Sequence, residues 1–243
     1  MNIVMQGKSV RDGIGYFLIG QSRFFSGRDL WKYALLPLFF MALFYLLVFA
    51  GMVWLLTALT EGMENTSFGQ SLSHLSVYLF FGVCVLLVWG TQNALYQCFG
   101  AFIFDALSEY YEKKEYGYTC SCPARQRRAA EWDSCLLSCR NFILGLGLML
   151  VLFVSFGAVS LICTPLMGYL QGVSCFQACA VNHGMRLDTL RPRLHRHFLT
   201  ITVFGTCSLL AQMIPFLSFV LTPGFFVGGC HLFRDKILSE SDI

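Results

Sequence analysis

The sequence predicts an all-α integral membrane protein, on the evidence of its composition, the placement of its charges and the length of its apolar runs. Of the 243 residues, 56% are hydrophobic and 13% are charged, and the mean hydropathy is +0.61. A soluble globular domain is less apolar than this. Residues 30–59 and 76–112 each contain an apolar run long enough to cross a bilayer of about 30 Å. We therefore expect two long transmembrane helices at these positions.

The placement of the charges predicts the orientation. None of the 17 Lys and Arg residues lies between Tyr33 and Phe104, and the loop over residues 60–72 carries Glu61 and Glu64 without a cation. Because cytoplasmic loops are enriched in Lys and Arg, this loop is expected outside the cell. Both termini are then cytoplasmic.

Residues 7–25 place apolar side chains along one approximate helical stripe and charged side chains along another. This pattern predicts an amphipathic helix lying in the inner membrane interface. A solvated helix that packs on the rest of the domain fits the same pattern.

A turn over Ser26, Gly27 and Arg28 precedes the first long helix, and Lys32 follows within its first turns. Free N–H groups at a helix N-terminus, beside two cations, can bind an anion. The alternative is that both cations are ordinary anchors on the cytoplasmic side.

The second long predicted helix contains polar residues toward its cytoplasmic end. Gln92, Asn93 and Gln97 lie within the apolar run, and the last two share a helix face. Such amides either hydrogen-bond a neighbouring helix or line a permeation pathway. Farther on, Asp105, Glu109 and Glu112 are expected to form a solvated face with nearby cations.

Residues 116–140 form a hydrophilic insert expected in the cytoplasm. Its four cysteines, Cys120, Cys122, Cys135 and Cys139, are not spaced like zinc ligands, so we expect free thiols and no metal site. The run from Arg125 to Arg128 lacks interleaved aromatic residues, which favours the inner leaflet over a nucleic acid as its partner.

Two further apolar blocks, 141–181 and 198–233, are flanked by cations at both ends and divided by prolines. Each is therefore predicted to be a re-entrant hairpin, with Pro165 dividing the first and Pro215 and Pro223 dividing the second. In the second block we expect a first arm that runs from Phe198 to Leu221. Gly168-x-x-x-Gly172 indicates close helix packing in the first hairpin.

The C-terminal block also carries a specific pattern. It reads Leu190-Arg191-x-Arg193, Phe204-Gly205, Ile214-Pro215-Phe216-Leu217-Ser218, Pro223 and Gly228-Gly229. With Leu30-Trp-Lys32-Tyr33-x-x-Leu36-Pro37 and Glu131-Trp132 upstream, this pattern resembles the CysZ-like family of bacterial inner-membrane sulfate permeases, which is related to the etoposide-induced membrane proteins. The resemblance extends from about Gly15 to Lys236.

The resemblance implies two long transmembrane helices with two half-penetrating hairpins, assembled as a homo-oligomer in the inner membrane. It also implies entry of sulfate or another small anion without ATP hydrolysis, a cofactor or an enzymatic step. The family's anion-binding turn falls near Asp29 to Lys32, where Leu30 and Lys32 fit the pattern and Arg28 can replace a missing guanidinium. The candidate anion contacts are Ser26, Gly27, Arg28, Leu30 and Lys32.

Two functions follow as hypotheses. The first is a CysZ-like permease or channel-like protein for a small anion. The second is a membrane scaffold of the same fold that transports nothing and binds partners through residues 116–140. The sequence contains none of the common hydrolase motifs, so an intramembrane enzyme is the weakest alternative.

Overall fold

The structure, a computed structural model, describes residues 3–61, 104–119, 122–155, 159–212, 214 and 217–239. Every regular element in these residues is helical, which confirms the all-α prediction. The helices are α1 (Ile3–Ser26), α2 (Arg28–Glu61), α3 (Asp105–Tyr116), α4 (Ala124–Val154), α5 (Ser160–Asn182), α6 (Leu187–Arg196), α7 (Phe198–Gln212) and α8 (Leu217–Leu232). A π-helical segment, Phe233–Leu238, follows α8 directly.

The chain forms two compact units. One contains Met1–Leu35 and Asn93–Ile243, and the other contains Leu36–Gln92. Within the second unit the structure describes residues 36–61, which form most of α2. Large apolar side chains on this segment are exposed, among them Phe39, Leu47 and Trp54.

The centre of the first unit is a crossing of α5 and α7 at three glycines. A side chain at Gly205 would meet the main-chain oxygen of Gly168, and one at Gly172 would meet the main chain of Ile201. Because the two backbones touch there, only glycine leaves enough room. The close packing predicted for Gly168-x-x-x-Gly172 is confirmed.

Helix α1 packs on α8 in the same way. Gly20 faces the backbone of Gly224 and Gly228, and the Gln21 amide donates to the main-chain oxygen of Leu221 at 3.0 Å. The opposite side of α1 exposes Ile14 and other apolar side chains. One face of the predicted amphipathic helix therefore packs on the domain, and the other face is exposed.

Of the three prolines that were expected to divide the two hairpins, Pro165 and Pro223 do not mark a break between helices, whereas Pro215 is in the stretch of sequence between Gln212 and Leu217 where the second break falls. Pro165 and Pro223 both lie inside helices, in α5 and α8, and the helices continue past them. A proline removes one backbone hydrogen bond from a helix, and contacts with neighbouring helices can compensate for that loss, so it need not end the helix. The breaks fall instead between Val154 and Ser160 and between Gln212 and Leu217.

This correction shortens the first arm of the second hairpin. It ends at Gln212 rather than at Leu221, so α7 has 15 residues and α8 has 16. At about 1.5 Å per residue both arms are roughly 22–24 Å long. The two arms are therefore nearly equal, whereas we expected a long arm and a short one.

The predicted insert is also more ordered than a loop. Gly117, with a φ of 65°, ends α3 in the left-handed conformation, and α4 begins at Ala124. Most of residues 116–140 thus belong to α4, which continues into the first predicted hairpin.

No helix among the described residues combines the length and the sustained apolar character that crossing a bilayer requires. Residues 76–103 of the second predicted crossing lie outside the described ranges. The crossings at 30–59 and 76–112 remain predictions.

Candidate functional site

The candidate anion site is the junction of α1 and α2. Gly27 alone separates the two helices, and its N–H donates to the main-chain oxygen of Arg23 at 3.1 Å. The N–H of Leu30 donates to the Gly27 oxygen at 2.9 Å, and the Leu30 side chain is 2% exposed. The buried leucine therefore anchors the turn and does not itself offer a contact to an anion.

The polar candidates lie on the surface around this anchor. Ser26, Arg28, Asp29 and Lys32 are all exposed. The first N–H groups of a helix have no partner within the helix, and those of Arg28 and Asp29 find no main-chain acceptor in the described residues. The junction thus places N–H groups that have no main-chain acceptor among the described residues beside two cations, an arrangement that can bind an anion.

Aromatic rings from α2 and α3 position Lys32. The rings of Tyr33 and Tyr110 stack with their centroids 4.4 Å apart, and the Lys32 ammonium lies 5.2 Å and 5.4 Å from the two centroids. These are cation–π distances. The rings restrict the movement of the ammonium but leave it exposed to an anion.

Lys114 offsets the negative charge of Asp29. Its ammonium donates to the Asp29 carboxylate at 3.0 Å, and both side chains are exposed. This hydrogen bond holds the pKa of Asp29 below its ordinary value and raises the pKa of Lys114. Asp29 is therefore charged at neutral pH, and its repulsion of an anion is reduced by an adjacent cation.

We expect Asp29→Asn to strengthen anion binding. The substitution removes a carboxylate next to the site and releases Lys114 from its ion pair. Interactions between exposed charges are worth about 1 kcal/mol or less, so the affinity should rise by a factor of about 2 to 5. Titration calorimetry with sulfate at low ionic strength measures this change, and an affinity that falls would contradict the placement of the anion.

The sequence did not indicate which residues of α3 meet this junction. Lys114 and Tyr110 contact it as described, and Glu115 pairs with Arg23 of α1 at 3.3 Å. These contacts join positions about 85 residues apart. The cationic stretch Lys113-Lys114 was visible in the sequence, but nothing in the spacing specified its partner.

The other predicted site residues that the structure describes do not join this junction. Gln92, Asn93, Gln97 and Pro215 lie outside the described residues. Gly205, Gly228 and Gly229 are buried at helix crossings, and Pro165 and Pro223 are inside helices. The three glycines allow close packing of the helices.

Glu112 was expected on a solvated face, and this prediction is wrong. Its side chain is 2% exposed, and its carboxylate lies 2.9 Å from His183 Nε2. The Asn182 amide donates to the same carboxylate at 3.4 Å, and the Tyr118 ring stacks on His183 with centroids 3.9 Å apart. This Glu112 cluster joins the end of α3 to the end of α5.

The described residues contain no group of three or more His, Cys, Asp or Glu side chains placed to hold a metal ion. The described cysteines, which include Cys122, Cys135 and Cys139, form no disulfide. Chemically, the junction can bind an anion reversibly through charge and hydrogen bonds.

Comparison with known proteins identifies the family of the chain. A family model described as Sulfate transporter CysZ/Etoposide-induced protein 2.4 matches residues 16–223, which is most of the chain. A search of curated proteins finds no match. The matched family is membrane-associated and of the transporter type. The resemblance seen in the sequence is confirmed, and the chain belongs to the EI24 family of CysZ and etoposide-induced protein 2.4.

Proposed function

We propose that this protein is a membrane permease or channel-like protein for sulfate or another small inorganic anion. Family membership supports transport, and the junction of α1 and α2 supports an anion as the transported species. The observation that carries the proposal is the pair Arg28 and Lys32 at the start of α2, where N–H groups lack main-chain acceptors. Flux follows the anion's gradient and uses no ATP hydrolysis in this chain.

The architecture supports a pathway between packed hairpins. The arms α7 and α8 are each shorter than a bilayer of about 30 Å is thick, and α7 approaches both α5 and α1 at glycines. Short helices enclosed by protein are tolerated at membrane depth beside a cavity. In this proposal the two hairpins penetrate the inner membrane from the cytoplasm, both termini are cytoplasmic, and copies of the chain assemble into a homo-oligomer.

The binding site is tested by Arg28→Ala combined with Lys32→Ala. A hydrogen bond to a charged group contributes about 1.5–3 kcal/mol, so loss of both cations should weaken sulfate binding at least tenfold. Equilibrium binding to detergent-purified protein measures the effect, with phosphate, sulfite and chloride as competitors.

A matched control is Arg125→Ala combined with Arg128→Ala. It removes the same charge from the exposed start of α4, and sulfate affinity should change less than twofold. Equal losses in the two variants would mean that net charge, rather than this junction, attracts the anion. Unchanged binding in the first variant would rule out the assigned site.

One observation favours a second function, a scaffold that transports nothing. Trp132 and Leu136, in the first half of α4, are 67% and 52% exposed. An exposed tryptophan beside arginines is typical of a protein contact surface. Well-folded protein that neither binds nor conducts any of the tested anions would favour this function over the permease.

A further inference from the structure

Two cysteines from the two predicted hairpins meet in the interior. Cys179 is near the end of α5 and Cys230 is near the end of α8, and both are 0% exposed. Their sulfur atoms are 2.7 Å apart. A disulfide is about 2.05 Å long, so bond formation requires a movement of less than about 1 Å.

The surrounding backbone keeps the two sulfurs together. A side chain at Gly229 would meet the main chain of Cys175 and Phe176, which lie one turn before Cys179 in α5. The helices α5 and α8 are thus in backbone contact immediately beside the thiol pair. The backbone segments that carry the two thiols are therefore held close together.

We propose that Cys179 and Cys230 are an oxidisable pair that closes to an intramolecular disulfide joining the two hairpins. The bond links cysteines that are 51 residues apart in the chain. The proposal does not depend on anion transport, because it rests only on the two thiols and the helices that carry them.

The oxidant must be small and uncharged, since neither sulfur reaches solvent. Hydrogen peroxide is of this class. It oxidises one thiol to a sulfenic acid and releases one water, and the second thiol then displaces a second water as the sulfur–sulfur bond forms. Two thiols and one peroxide thus give one disulfide and two waters. Burial makes the reaction slow, on the order of minutes to hours.

Other cysteines are more accessible to solvent than Cys179 and Cys230, so their thiols can be alkylated before the buried pair is oxidised. Cys139 is exposed, and Cys122 and Cys135 are partly exposed. Alkylation of the folded protein therefore caps these three before the buried pair. Removing the excess reagent and adding peroxide then directs oxidation to thiols that the fold protects.

The test is a disulfide map of folded, detergent-purified protein treated in this order and then denatured and alkylated with a second reagent. We expect a linked peptide pair containing Cys179 and Cys230, two fewer thiols per chain available to the second reagent, and loss of the link after reduction. Cys179→Ser and Cys230→Ser should each abolish the linked pair. Cys163→Ser, which changes a buried cysteine on the same helix α5, should retain it.

The result that overturns the proposal is recovery of both cysteines as free thiols from wild-type protein after exhaustive peroxide treatment. Linkage of either cysteine to a different partner overturns it equally. Both outcomes are read on the wild-type chain, so a variant that fails to fold does not affect the conclusion. A thermal midpoint that rises on oxidation and returns on reduction would show in addition that the bond holds the two hairpins together.

Discussion

Gly205→Ala should disrupt the helix crossing at the centre of the first unit. The new methyl group would overlap the main-chain oxygen of Gly168 and crowd the main-chain nitrogen of Gly172. Neither atom belongs to a side chain that could rotate away, so α5 and α7 would have to separate. We expect a loss of about 3 kcal/mol or more in the free energy of unfolding, which corresponds to a fall of roughly 6–12 °C in the thermal midpoint.

Gly147→Ala is the matched control for this prediction. Gly147 also lies within a helix, and a methyl group there meets no other atom within 4 Å. Alanine is the better helix former by about 1 kcal/mol, so the midpoint should stay the same or rise. Thermal unfolding of the two variants in the same detergent makes the comparison, and similar midpoints would contradict the close approach of α5 and α7.

Glu112→Ala should lower the free energy of unfolding by about 2 kcal/mol or more, because it leaves buried polar groups without their hydrogen-bond partner. His183 would lose its partner at 2.9 Å, and the Asn182 amide would lose an acceptor at 3.4 Å. Glu112→Gln keeps the size of the side chain and an acceptor oxygen, so the free energy of unfolding should fall clearly less than in Glu112→Ala.

Glu109→Ala provides the control on the same helix. Glu109 is exposed, whereas Glu112 is 1% exposed, and surface substitutions usually change stability by less than about 0.5 kcal/mol. Denaturation of the three variants in one detergent ranks them by their free energy of unfolding. If Glu112→Ala is as stable as Glu109→Ala, the buried cluster does not form.

The glycines and the prolines show how far the sequence predicts this fold. Gly168-x-x-x-Gly172 predicts close packing from spacing alone, because small residues one turn apart form a flat helix face. Pro165 and Pro223 were expected to mark turns, yet both helices continue through them. Whether a proline ends a helix depends on what compensates for the lost hydrogen bond, and tertiary contacts decide that.

Glu112 is a second residue whose environment the sequence did not predict. Three carboxylates within eight residues, followed by lysines, predict a solvated helix face, and Glu109 is indeed exposed. Glu112 is buried because α5 brings Asn182 and His183 against it from 70 residues away. A pattern along one helix cannot reveal a polar partner on another.

The candidate anion site was partly predictable. Ser26, Gly27, Arg28 and Lys32 could be chosen because a turn and two cations precede a long helix. The sequence did not indicate that Lys114 offsets Asp29 or that Tyr110 positions Lys32, since both come from α3. It also placed Leu30 among the contacts, whereas the side chain is buried.

The most direct test of the permease proposal is sulfate flux into liposomes that contain the purified protein. We predict uptake down a sulfate gradient without ATP, reduced at least tenfold by Arg28→Ala with Lys32→Ala and unchanged by Arg125→Ala with Arg128→Ala. Absence of flux for sulfate, phosphate, sulfite and chloride, from wild-type protein that unfolds cooperatively in the same preparation, would contradict the proposal.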